Sequence, residues 1–189
     1  MTVIRQDDLI ESVADALQFI SYYHPVDFIK AVNLAYEREE SPAARDALAQ
    51  ILINSRMSAT GRRPLCQDTG IVTVFVKIGM DVSWKGSTMS VSNMINEGVR
   101  RAYTHPDNVL RASILEDPDG ARKNSKDNTP AVIHYEIVEG DTVDVQVAAK
   151  GGGSENKSKM VMLNPSDSIV DWVVKTVPIM GAGWCPPGM

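Results

Sequence analysis

At 189 residues, 43% of them apolar and 23% charged, the chain can build one domain with a substantial core and is too short for two independent ones. A net charge of −5 offers no footprint for nucleic acid, and no apolar run approaches the roughly 18 residues that span a bilayer. The first residues carry no basic stretch followed by an apolar one, so a cytoplasmic protein is expected, with Cys66 and Cys185 as thiols rather than a disulfide.

The first sixty residues read as helices. Leu9, Ile10, Val13, Leu17 and Ile20 recur at helical spacing between Asp7 and Tyr22, and His24-Pro25 ends that stripe. A second helix is predicted to run to about Glu39 with Phe28, Val32 and Ala35 facing inward. Ser41-Pro42 supplies an N-cap and a first-turn proline for a third helix, which carries Leu48, Ile51 and Leu52 and should stop before Gly61.

Beyond Gly61 the pattern changes. Ile71 to Ile78 is a nearly continuous β-branched and aromatic run, predicted as a buried strand. Val91, Met94, Ile95, Val99 and Ala102 predict another amphipathic helix ending near His105-Pro106. Ala131–Val138 and Thr142–Ala149 read as two strands of a hairpin joined by Glu139-Gly140-Asp141. Asn164-Pro165-Ser166 is expected to start a last helix through Val177. The predicted class is α+β: amino-terminal helices (residues 1–60), then a mixed β-sheet packed with helices (residues 61–189), all in one domain.

Three segments carry chemistry. Cys66-Gln67-Asp68-Thr69-Gly70 crowds a thiol, an amide, a carboxylate and a hydroxyl just before a strand, where it is either a ligand site or a plain turn into that strand. Lys150-Gly151-Gly152-Gly153-Ser154-Glu155-Asn156-Lys157-Ser158 lets backbone amides approach an anion. It nearly matches a phosphate-binding P-loop, but Asn156 stands where that motif needs glycine, and Asn164-Pro165 interrupts the helix that should follow. A carboxylate-binding loop is the preferred reading. Cys185-Pro186-Pro187 puts a thiol on a stiff, non-helical loop, and a proline directly after a cysteine recurs at iron–sulfur ligands. No capping element follows before Met189, so a truncated domain is expected.

Arg111, a cation among apolar neighbours, could clamp a carboxylate or snorkel to the surface. Asp127-Asn128-Thr129-Pro130 reads as a structural turn, and the pairs Arg62-Arg63 and Arg100-Arg101 as solvated surface. His24, His105 and His134 are scattered without ligand spacing.

Taken together and in order, Cys66–Gly70, Asn108–Arg111, Asp127–His134, the Lys150–Lys157 loop and Cys185-Pro186-Pro187 resemble the iron–sulfur class I fumarases and the related α component of tartrate dehydratase. The resemblance covers essentially everything from Cys66 onward. It implies a [4Fe–4S] cluster held by three thiolates, two of them Cys66 and Cys185 and the third beyond Met189. One iron without a protein ligand would act as a Lewis acid in hydration of fumarate or dehydration of L-malate or tartrate. It also implies that Gln67, Asp68, Arg111 and the backbone of Gly151, Gly152, Gly153 and Ser154 bind a small dicarboxylate. The catalytic base would come from a carboxy-terminal domain or β subunit, in a homodimer when complete, so this chain alone is expected to be inactive. The rival of another class is a non-catalytic anion- or nucleotide-binding module.

Overall fold

The computed structural model describes residues 2–66, 69–151 and 159–180. These form two compact units, residues 1–150 and residues 151–189. The α+β class holds: a helical lead-in is followed by a mixed sheet with helices against it.

Helix α1 (Gln6–Tyr22) buries Leu9, Ile10, Val13 and Leu17, the apolar stripe predicted from their spacing. Pro25 starts the next element by preceding α2 (Val26–Arg38), whose buried residue is Val32; Phe28 is half-buried, and Ala35, expected inside, faces solvent. Helix α3 (Pro42–Gly61) begins with proline in its first turn, as expected, although the Ser41 side chain makes no capping bond. It runs through Gly61 instead of stopping before it. Arg62 then takes the left-handed cap position, with φ 48°.

A short strand β1 (Thr2–Val3) pairs with β3 (Val82–Ser83). The principal sheet is built on β2 (Ile71–Gly79), whose residues Val72, Val74 and Val76 are buried. Burial is one-sided, which corrects the expectation of a fully enclosed strand: Phe75 is 48% exposed on the opposite face, stacked on His134 at a centroid distance of 5.0 Å. Beside it Lys77 pairs with Glu136 at 3.3 Å. Helix α4 (Val91–Tyr103) starts at Ser90, whose hydroxyl accepts from the Asn93 amide at 3.2 Å. It sets Met94, Ile95, Val99, Ala102 and Tyr103 against α1 and the inner face of the sheet. Gly98 makes the crossing possible, since a Cβ there would lie 2.7 Å from the Ile10 carbonyl oxygen.

Strands β4 (Leu115–Glu116) and β5 (Lys123–Asn124) make a small exposed ribbon. The two strands predicted as a hairpin exist as β6 (Val132–Val138) and β7 (Val143–Lys150), but they do not pair with each other. The order is β6-β2-β7, with β6 parallel and β7 antiparallel to β2. Physically, β2 carries the most apolar inner face and takes the centre, where two neighbours cover it. The polar-alternating β6 and β7 take the flanks. The predicted turn is therefore an opened hairpin that crosses the end of β2. The amides of Gly79, Met80 and Asp81 donate to the carbonyls of Thr142, Val138 and Gly140, each at 2.9 Å.

The second unit contains helix α5 (Ile169–Ile179), capped by Ser168, whose hydroxyl accepts from the Asp171 amide at 3.2 Å. The helix begins later than expected because Asn164 and Asp167 bond each other in a turn of their own. Ile169, Val170, Val174 and Ile179 are exposed on it. Among the described residues no helix is long and apolar enough to cross a membrane.

Candidate functional site

The pairing registers bring three chemically loaded segments to one end of the sheet. Ile71 opens β2 and faces Lys150, the last residue of β7, while Thr73 faces Val132, the first residue of β6. The loop that carries Cys66 therefore enters the sheet where the Asp127–Pro130 turn enters it and where β7 leaves it.

The Cys66 loop is tied at both sides of its polar residues. On the amino side the Leu65 amide donates to the Ser21 carbonyl at 2.8 Å, and the Asn54 carboxamide donates to the Leu65 carbonyl at 2.9 Å. On the carboxy side the buried Tyr103 hydroxyl donates to the Thr69 carbonyl at 2.8 Å, and the Thr69 hydroxyl donates to the Arg111 carbonyl. Cys66 itself is half-buried and lines a cavity of about 110 Å³ together with Leu17, Ile20, Tyr103, Leu110 and Ala149. Leu65 and Thr69, the described residues on either side of Gln67-Asp68, thus have fixed hydrogen-bond partners.

The Arg111 segment is anchored just as locally. Asn108 is buried and donates to Gln18 Oε1 at 2.9 Å and to the Ser21 hydroxyl at 3.2 Å. Gln18 in turn donates to the carbonyls of Ala102 and Asn108, at 2.6 and 3.0 Å. Leu110 is buried in the core, and its amide donates to the Tyr103 carbonyl at 3.3 Å. The Arg111 side chain is exposed, and among the described residues no carboxylate lies in ion-pair range of it. The result is a guanidinium on a fixed backbone, facing water and available to an anion.

The Asp127–Pro130 segment is more than a turn. Asp127 accepts from Arg100 Nε at 2.9 Å and from the Thr129 amide and hydroxyl at 3.0 and 2.7 Å. Burial alone raises the Asp127 pKa, but the Thr129 hydroxyl and amide and then Arg100 outweigh it, leaving the carboxyl below the usual carboxylate range. Arg100, expected as plain solvated surface, thus fastens the turn to α4, and it also pairs with Glu97. Asn128, left-handed at φ 62°, is fully buried and turned inward.

Of the residues singled out from sequence, the structure thus places Cys66 and the Arg111 backbone on loops joined through Thr69. Gly151 follows the last residue of β7. Gln67, Asp68, Gly152, Gly153, Ser154 and Cys185 lie outside the described residues. Among the described residues no cluster of three potential metal ligands occurs, and Cys66 is the one thiol there. Sequence reasoning missed Gln18 and Tyr103 and gave Asn108 and Asn128 no role beyond their segments, although all four hold the loops. Nothing in their local spacing distinguishes them from ordinary helix and turn residues.

Comparison with known proteins adds identity to this geometry. Residues 10–189 match the family described as "Fumarate hydratase (Fumerase)". The chain is similar to the "Putative L(+)-tartrate dehydratase subunit alpha" of Methanocaldococcus jannaschii, 32% identical over 183 residues, covering 93% of this chain and 62% of the relative. It is similar to the "L(+)-tartrate dehydratase subunit alpha" of Escherichia coli strain UTI89, 25% identical over 182 residues and covering 95% and 59%. A third relative is the "Fumarate hydratase class I, anaerobic" of Escherichia coli K12, 32% identical over 159 residues, covering 82% of this chain and 28% of the relative. The chain thus spans 62% or less of the length of these relatives. With the matched family covering all but the first nine residues, the principal sheet included, the chain belongs to the fumarate hydratase (Fumerase) family.

Proposed function

We propose that this chain is the cluster-bearing, amino-terminal part of a cytoplasmic iron–sulfur hydro-lyase that interconverts fumarate and L-malate. The observation that carries the reading is the direct tie, through Thr69, between the loop of a half-buried thiol and the backbone of an exposed arginine with no ion pair among the described residues. On this reading, a metal thiolate and a carboxylate clamp would share one frame.

The donor chemistry fits the proposed [4Fe–4S] group in part. Cys66 suits one ligand, since its loop is already tied on both sides. Cys185 would be the second, and a third thiolate would come from residues beyond the two cysteines of this sequence. When bound, such a cluster supplies a Lewis-acidic iron. This chain's own residues bind and orient. Arg111 would take one carboxylate of the substrate in two-point fashion. Gln67 and Asp68 would hold the hydroxyl and the adjacent carbon in register. The backbone amides of Gly151, Gly152, Gly153 and Ser154 would meet the second carboxylate and the charge that develops on it. Dehydration of malate removes a proton from one carbon and hydroxide from its neighbour. The proton acceptor is proposed to lie in a carboxy-terminal domain or β subunit, in a dimer of the complete enzyme.

L(+)-tartrate dehydration is the second reading. It is supported by the α-subunit relatives, which are matched along 93% and 95% of this chain against 82% for the fumarase. The complete protein, produced without oxygen and with its cluster rebuilt, should hydrate fumarate or dehydrate tartrate and lose that activity in air. Assaying both acids side by side identifies the substrate. Activity toward neither would overturn the reading. Cys66→Ser should abolish both iron retention and turnover, and retained turnover would remove Cys66 from the ligand set.

A further inference from the structure

Asn128 stands between the two loops of the candidate site. Its Nδ2 donates to the Gly70 carbonyl at 2.8 Å, and its Oδ1 accepts from the Ser113 and Ile114 amides at 2.6 and 3.2 Å. Gly70 closes the Cys66 loop and Ser113 follows Arg111 by two residues. The carboxamide is fully buried, where a satisfied hydrogen bond is stronger and stiffer than in water. An asparagine that only completes a left-handed turn bonds its own neighbours or water. This one bonds segments that are 58 and 15 residues away.

We propose that Asn128 is a positioning residue that fixes the Cys66 loop against the Arg111 loop, one buried carboxamide setting the spacing between thiolate ligand and substrate-binding guanidinium. The inference rests on the roles proposed above for Cys66 and Arg111. The turn itself does not depend on this carboxamide, because Asp127 holds it to Arg100 and Thr129, and the Ala131 amide donates to Asn96 Oδ1 at 2.8 Å. Removing the side chain should therefore loosen the two loops relative to each other while leaving the turn in place. Asn128→Gly accepts the positive φ and deletes both halves of the tie. Asn128→Asp keeps the acceptor for Ser113 and Ile114 but sets a carboxylate oxygen against the Gly70 carbonyl.

The test needs neither cluster nor substrate. The 189-residue chain is alkylated with iodoacetamide, and Cys66 is followed by peptide mass spectrometry separately from Cys185. Both variants should raise the Cys66 rate by about fivefold or more, the factor expected for one lost buried hydrogen bond. Val76→Ala, which weakens the core without touching the tie, should leave the Cys66 rate near that of the wild type. Equal rates in wild type and both variants, or an equal rise in Val76→Ala at matched melting temperature, would overturn the proposal. Should the variants fail to fold, hydrogen exchange on the wild type decides: the Ser113 and Ile114 amides should be protected, and exchange at unstructured rates would overturn the tie. In the complete enzyme Asn128→Asp should raise KM for the dicarboxylate more than it lowers kcat, with iron content kept. A positive thiol result without any hydro-lyase activity would count against the proposed function and leave the coupling standing.

Discussion

Arg111 shows how one residue can be rigid and available together. Its carbonyl accepts from Thr69 and its neighbour Leu110 is buried, yet its guanidinium is in water. Arg111→Ala in the complete enzyme should therefore raise KM at least tenfold, corresponding to about 1.4 kcal/mol or more of lost charge-assisted binding, while iron content stays unchanged. Steady-state kinetics beside iron analysis separates this from a structural arginine, for which iron would be lost as well. Asp127 belongs to the same scale. Its carboxyl is held below the unfolded value of about 3.9, so its stabilising contribution is full above that pH and is lost as pH falls through the lower folded value. Asp127→Asn should lower the melting temperature near neutrality, and the gap to the wild type should close below about pH 4. A gap independent of pH in thermal melts would show that the carboxylate charge is irrelevant to holding the turn.

At the scale of elements, the opened hairpin is the feature on which the sheet depends. The Glu139–Thr142 connection crosses the end of β2 so closely that a Cβ on Gly79 would stand 2.4 Å from the Gly140 carbonyl oxygen and 2.9 Å from the Asp141 amide nitrogen. These are backbone atoms, so the connection itself would have to move. Gly79→Ala is expected to cost about 1–3 kcal/mol, read as a lower urea midpoint, because the three amide bonds at the end of β2 would be displaced together. An unchanged midpoint would mean that the crossing can relax freely. The turn chemistry of Glu139-Gly140-Asp141 was legible in the sequence, and Gly140 does take a positive φ of 101°. Which strand that turn would lie against was not legible, because a turn reports only on the residues it joins.

At the scale of the whole molecule, among the described residues the hydrophobic core lies between Leu9 and Val147, inside the first compact unit. Residues 1–150 expressed alone should therefore unfold in one cooperative transition, with a melting temperature within a few degrees of that of the intact chain. A broad, non-cooperative melt would place part of the core's support after Lys150. The same unit holds the described residues of the Cys66, Arg111 and Asn128 loops, while the proposed glycine loop and Cys185 belong to the second unit. The second unit's α5 leaves Ile169, Val170, Val174 and Ile179 exposed, an apolar surface of the kind that soluble chains seldom leave open.

The amino-acid sequence by itself determined the helices, the buried faces of α1 and α4, the existence of the three main strands, the α+β class and, through its ordered motifs, the family. These are properties of residues near one another along the chain, where apolar periodicity and proline or serine at helix starts act directly. Only the tertiary structure decided that β2 separates β6 from β7, that the sheet is buried on one face, and that Asn128 turns inward. Strand order follows from competition among strands for the most apolar partner, and the direction of a carboxamide follows from which distant amides and carbonyls are left without partners. Neither quantity is written in the spacing of neighbouring residues.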